Sequence, residues 1–202
     1  MPRTALMLAR LILACLAWMV GDAHAAPPGT AEDTVRATTA AVVARLRDER
    51  AAITADPARL EQLAAAMILP RVDFTTLAEL VLATRWAELS DGERGCFADG
   101  LRARLLTRYA GLLRLYDDQA VSYATAADGA GRSTVTQTIA LADSMPLVLG
   151  YRMHVVDDAW QVVDLTVDGE SLVAGYRDQF RYDIGRLGLG DFLRTFPACR
   201  ER

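Results

Sequence analysis

The sequence predicts an α+β domain in which N-terminal and C-terminal helices pack on one face of a four-stranded antiparallel sheet and enclose an apolar pocket. Three observations lead there. Apolar residues recur at helical spacing from about residue 30 to Tyr116, four period-two stretches with short connections follow between residues 119 and 167, and helical spacing returns after Ser171. In the last strand Val163, Leu165 and Val167 alternate with Asp164, Thr166 and Asp168, and the following helix carries Leu172, Val173, Tyr176 and Phe180 at three-to-four spacing. If both apolar faces point inward, they bound one space, filled by side chains or by a ligand.

The chain has 202 residues, 52% hydrophobic and 24% charged, enough for one domain with a sizeable core. It contains no lysine, which excludes Schiff-base chemistry and a P-loop lysine. Residues 1–25 read as a cleaved signal peptide: Arg3 and Arg10 precede an apolar run from Leu11 to Val20, and Ala23-His24-Ala25 offers small residues at the cleavage positions. The run is about half the roughly 20 residues that span a bilayer, so it does not read as a retained anchor. A lipoprotein acceptor at Leu13-Ala14-Cys15 ranks below cleavage after Ala25, because apolar residues continue past Cys15. Residues 26–202 are then a single domain keeping 20 of 22 basic and 25 of 26 acidic residues, a formal charge of −5. That sign argues against nucleic acid as a partner. Cys96 and Cys199 remain, and their spacing alone does not show whether they meet.

Thr30 caps the first helix, with Glu32 and Asp33 in its first turn and Val35, Val42, Leu46 and Ile53 as its inner stripe. Asp56-Pro57 starts a second helix to about Leu69; Pro70 stops it, and Asp73 caps a third. Ser90-Asp91-Gly92-Glu93 is a capping box for a long helix to about Tyr116, with Phe97, Leu101, Leu105, Tyr109, Leu112 and Tyr116 on one stripe. The arginines between them, Arg102, Arg104, Arg108 and Arg114, read as a solvated face. The strands are roughly Gln119 to Thr125, Ser133 to Leu141, Leu147 to Val156 and Trp160 to Val167. Asp128 to Gly131 and Asp157-Asp158 are turns between antiparallel neighbours. On the third strand Leu147, Leu149, Tyr151, Met153 and Val155 share one side, with Arg152 and His154 on the other. Gly188 stops the helix after the sheet, and Asp191 caps the next.

Catalytic and metal chemistry find no support in the pattern. His154 is the one histidine left after processing, which removes histidine metal clusters, and the acidic residues from Asp157 to Glu170 lack a cation-loop frame. Ser171 lacks the second glycine of a nucleophile elbow, and Gly185, Gly188 and Gly190 make no dinucleotide motif. No cofactor is expected.

Three blocks resemble the MlaC family of periplasmic phospholipid-binding proteins, also described as toluene-tolerance or ABC-transporter auxiliary components. The first runs Ile68-Leu69-Pro70-Arg71-Val72-Asp73-Phe74 and on through Leu80-Val81-Leu82 to Trp86; the second is the long helix from Phe97 through Leu105 to Tyr109-Ala110 and Tyr116. The third takes in Trp160, Asp164, Gly169, Ser171, Tyr176-Arg177 and Gln179-Phe180. Two positions depart from the family pattern: Thr84 stands where glycine is usual, and Glu170 where an apolar residue is usual.

The resemblance implies a non-enzymatic periplasmic carrier that holds a phospholipid between sheet and helices. It also implies partners: an inner-membrane ABC transporter complex with an MCE-domain subunit, and an outer-membrane lipoprotein/porin complex, with maintenance of outer-membrane lipid asymmetry as the role. The candidate lining is Phe74, Leu77, Leu80 and Val81, then Leu105, Tyr109 and Leu112, then Leu149, Tyr151 and Met153, then Val163, Leu165 and Val167, and finally Leu172, Val173 and Tyr176. Asp164 and Arg177 read as structural polar partners. A carrier of hopanoids or other polycyclic lipids is the alternative; a small-molecule enzyme on the same scaffold is more distant and lacks an acid-base pair.

Overall fold

A computed structural model describes residues 29–115, 119–129, 131–141 and 145–200; the expected signal segment 1–25 lies outside the described residues. The helices are α1 (Ala31–Asp48), α2 (Arg50–Ala55), α3 (Arg59–Met67), α4 (Phe74–Leu82), α5 (Asp91–Tyr109), α6 (Leu172–Leu187) and α7 (Leu189–Leu193). The sheet has five antiparallel strands in sequence order: β1 (Val121–Gly129), β2 (Arg132–Ile139), β3 (Leu147–Val156), β4 (Ala159–Val167) and β5 (Glu170–Ser171). The α+β architecture is as expected, with five strands where the sequence suggested four.

The helix starts follow from local chemistry. The Thr30 hydroxyl accepts from the Asp33 N–H while the Asp33 carboxylate accepts from the Thr30 N–H, and Ser90 and Glu93 repeat this reciprocal arrangement at α5. Asp73 accepts from the Thr76 N–H at 3.0 Å and caps α4. The second expected helix begins two residues later than Asp56-Pro57 suggests, because Asp56 closes a turn with the Ala58 N–H before α3 starts. The long helix ends at Tyr109, and Ala110–Leu115 continues as a tighter 3-10 turn.

Opposite residues of antiparallel strands share a face, so the register defines the sheet's two sides. Ser133, Met153 and Val162 form one row, Val135, Tyr151 and Leu165 the next, and Gln137, Leu149 and Val167 a third. α1 lies over this face: Ala31 and Val35 cluster with Val135 and Met153, and Gln137 donates to the Thr39 hydroxyl. Arg152 and His154 project from the other face, as the alternation predicts.

β4 corrects one expectation. Arg152 pairs with Asp164 but Met153 pairs with Val162, so Val163 is an extra residue in a bulge. The phase therefore shifts by one: Trp160 and Val162 share the α1-side face with Leu165 and Val167, while Val163 is buried outside that row. The bulge also turns Asp164 onto the face of Arg152, 3.3 Å away, where its carboxylate accepts from the Ser171 hydroxyl at 2.7 Å and the Val173 N–H at 3.1 Å. Strand and following helix are thus tied by one buried carboxylate. Ser171 itself accepts from the Ala174 N–H and caps α6.

β5 exists because Asp168 and Gly169 both take positive φ, 50° and 89°, the geometry of a two-residue hairpin turn. Asp157 and Asp158 do the same between β3 and β4, at 47° and 58°. β5 covers one end of the β4 edge, and Val72 bridges to Val162 at the other, with the Asp73 N–H donating to the Val162 carbonyl.

The helices form a second layer with its own core, in which Phe97, Phe180, Phe192 and Phe196 are fully buried. Gly100 permits this packing, since a Cβ there would stand 2.8 Å from the Phe196 ring. A Cys96–Cys199 disulfide, Cα atoms 5.0 Å apart, pins the chain end to α5 and answers the question the spacing left open. Arg177 donates through Nε and Nη2 to the Leu80 carbonyl and locks α6 to α4.

Candidate functional site

Among the described residues the sheet face under α1 is fully buried at one end and half-buried along the rest. Ser133, Val135 and Met153 are buried beneath α1. The boundary is a buried polar cluster: Tyr151 donates to Gln137 Oε1 at 2.5 Å, and Gln137 Nε2 donates to Thr39 and to the Tyr123 hydroxyl. Burial first, and then the neighbouring Tyr123, pushes the Tyr151 phenol up, so it remains a protonated donor. Beyond this cluster, still on the same face, Val121, Ile139, Leu147, Leu149, Leu165 and Val167 are all half-buried.

Apolar side chains in a domain usually join one contiguous core. Here the buried residues include a helical cluster around Phe97 and Phe180 and a separate α1–sheet cluster around Val135 and Met153, with Val42, Val43, Leu60 and Leu63 buried outside both. Leu149, Leu165 and Val167 belong to neither. An apolar strip left half-wetted between two packed clusters is a surface that can take up an apolar ligand without breaking either cluster.

The expected lining residues divide among these regions. Leu77, Val81, Val173 and Tyr176 are buried in the helical cluster, with Leu80, Leu105 and Tyr109 packed against it. Met153 is buried in the α1–sheet cluster, and Tyr151 packs on it. Leu149, Leu165 and Val167 form the half-buried strip, and Leu172 is half-buried at the start of α6. Val163 sits in the bulge, and Val162 takes its expected place on the inner face. Leu112 is 55% exposed, since the tightening to a 3-10 turn after Tyr109 ends the 3.6-residue stripe that aligned it with Leu105. Phe74 lines a groove of about 410 Å³ beside Asp73 and Arg102, and Tyr176 lines one of about 700 Å³ between α5 and α6. Neither groove takes in the strip. Sequence reasoning missed Val121, Ile139 and Leu147 as members of the strip, although their alternation within each strand was the signal for them.

The polar residues of the motif blocks are engaged structurally. Asp164 and Ser171 hold the start of α6, and Arg177 holds α4. Asp73 receives the Thr76 hydroxyl at 2.6 Å and lies 3.0 Å from His154 Nε2. Burial raises the Asp73 pKa, but the Thr76 hydrogen bonds and His154 outweigh it and leave it below the ordinary value. Glu170 pairs with Val167 and is exposed at the edge of the strip. Thr84 lies in the 3-10 turn after α4, where the expected helix end falls.

The profile of the MlaC protein family matches residues 36–196. The chain belongs to the MlaC family. Its fold is similar to a phospholipid-binding protein from Ralstonia solanacearum, solved in complex with a phospholipid, at 24% identity and a TM-score of 0.73, covering 86% of this chain and 98% of that one. Comparison with curated proteins gives no match. In this MlaC family member the three motif blocks correspond to the α3–α4 junction with α4, to α5, and to the unit β4–β5–α6.

Proposed function

We propose that the protein is a periplasmic phospholipid carrier whose strip of Leu149, Leu165, Val167 and neighbours receives acyl chains. The observation that carries this reading is the half-buried apolar strip outside both packed clusters. Membership of the MlaC family and the phospholipid held by a protein of the same fold support it. The energetics make such a surface necessary. Each exposed methylene costs about 0.8 kcal/mol, so even ten exposed methylenes cost on the order of 8 kcal/mol and hold a lipid in its bilayer. A carrier must offer comparable apolar shelter.

Binding and transport account for the site better than catalysis, because the polar residues of the motif blocks are spent on caps and interlayer ties. The carrier would exchange its cargo with an outer-membrane lipoprotein/porin complex and an inner-membrane ABC transporter with an MCE-domain subunit, in maintenance of lipid asymmetry. The test is transfer of a fluorescent phospholipid from donor to acceptor vesicles across a dialysis membrane that passes the protein and retains the vesicles. Acceleration proportional to protein concentration supports the carrier; a rate equal to that without protein rejects it.

A further inference from the structure

The groove between α5 and α6 lies apart from the apolar strip and has a different chemistry. Its volume is about 700 Å³, and Arg104, Arg108 and Arg186 line it against a single acidic residue, Asp183. In a chain of net charge −4 this is a local excess of positive charge. Elsewhere Arg36, Arg45, Arg85, Arg94 and Arg181 each find a carboxylate about one helical turn away. Among the described residues the three groove arginines have no carboxylate within ion-pair distance and donate no hydrogen bond.

Two of them are nevertheless positioned. The Arg104 guanidinium stands 4.4 Å from the centre of the Phe196 ring and 5.5 Å from that of Phe180, and Arg108 stands 5.6 Å from that of Tyr109. A guanidinium held over a ring by cation–π attraction keeps its N–H donors available to an oxyanion. The docking of Phe196 against Gly100 fixes the ring beneath Arg104.

Tyr176, which is 6% exposed, also belongs to the groove's lining. Its ring lines the groove, and its hydroxyl is buried without a hydrogen-bond partner. Tyr109 comes close without meeting hydrogen-bond geometry. Burial first, then Tyr109, pushes the phenol up, while Arg108 and Arg104 pull it back. A buried hydroxyl without a partner is uncommon in native proteins and calls for an explanation. The adjacent Tyr109 phenol is its nearest candidate partner, because the hydroxyl oxygen has no surface open to a groove ligand.

We infer that the α5–α6 groove is a binding site for a phosphate-type oxyanion, held by Arg104 and Arg108. A phosphate monoester and a lipid phosphodiester share this chemistry. The inference stands without the carrier reading, because it assigns no role to acyl chains.

The test is calorimetric titration of the delipidated mature protein at low ionic strength with two tail-free probes, inorganic phosphate and glycerophosphoglycerol. Both are expected to bind saturably and to compete with one another. The Arg104→Gln/Arg108→Gln double variant should weaken both by at least about tenfold, the loss of two charge-assisted contacts. Tyr176→Phe keeps the ring and removes only a hydroxyl closed to the ligand, so it should bind as the native protein does. Arg181→Gln, on the same helix but outside the groove, should bind as the native protein does. Circular dichroism establishes that each variant is folded. Tighter binding of the diester assigns the site to a lipid head group, and tighter binding of inorganic phosphate assigns it to a free phosphate; either supports the site. Absence of saturable binding, or binding that the double variant leaves unchanged, overturns it.

Discussion

Leu165→Asp puts the apolar strip under the most demanding test. Leu165 lies opposite Tyr151 in the centre of the inner face, half-buried and outside both packed clusters. An aspartate there meets an acyl chain either as a buried carboxylate or in its neutral form. Neutralising a carboxyl of pKa about 3.9 at pH 7 costs about 4 kcal/mol, at 1.36 kcal/mol per unit, which corresponds to roughly a thousandfold loss of lipid affinity. Folding should survive, because without a ligand the side chain can reach water. Met153→Asp, at 1% exposure within the α1–sheet cluster, would confound lipid loss with unfolding. Leu112→Asp is the control, since its side chain is 55% exposed. The assay is lipid phosphorus per chain after purification, together with the thermal midpoint. Leu165→Asp should be folded and nearly lipid-free, with Leu112→Asp loaded as the native protein is. A folded Leu165→Asp carrying undiminished lipid would refute the reasoning.

The Cys96–Cys199 bridge closes a separation of 103 residues, for which the chain-entropy estimate is about 4.7 kcal/mol; denaturant titration with and without reductant should show a loss on the order of 2–5 kcal/mol. Asp164→Ala removes the acceptor for Ser171 and Val173 N–H and the partner of Arg152, and should cost about 2–4 kcal/mol, read as a lower urea midpoint at unchanged slope. Asp73 has a folded pKa below its unfolded value, so its contribution is complete above the unfolded value and lost as pH falls through the folded one. Asp73→Asn should therefore flatten stability against pH on the acid side of about pH 4, measured by thermal midpoints, and an unchanged slope would count against the assignment.

Much of the fold could be read from local signals, because the residues that set it act over short distances. Thr30 with Asp33, and Ser90 with Glu93, bind their own helix starts, and the period-two stretches become strands β1 to β4. The Asp168-Gly169 turn is equally local: two consecutive residues at positive φ make the hairpin that adds β5. The bulge at Val163 was out of reach, since a bulge is defined by the opposite strand: nothing in Val162-Val163-Asp164 says that Met153 and Arg152 will be met two against three. Leu112 was misplaced because helical periodicity was extended into a segment that tightens. The disulfide and the separation of the helical cluster from the α1–sheet cluster are tertiary facts, to which a linear pattern of apolar residues is blind.

The central claim is that the apolar strip shelters lipid tails. Its most direct test is to purify the mature protein from the periplasm of its native cell, extract it with organic solvent and identify what is released by mass spectrometry. The account predicts a phospholipid at about one molecule per chain, in line with the tail-sheltering requirement. An extract containing no lipid, from folded protein that also takes none up from phospholipid vesicles, would contradict it.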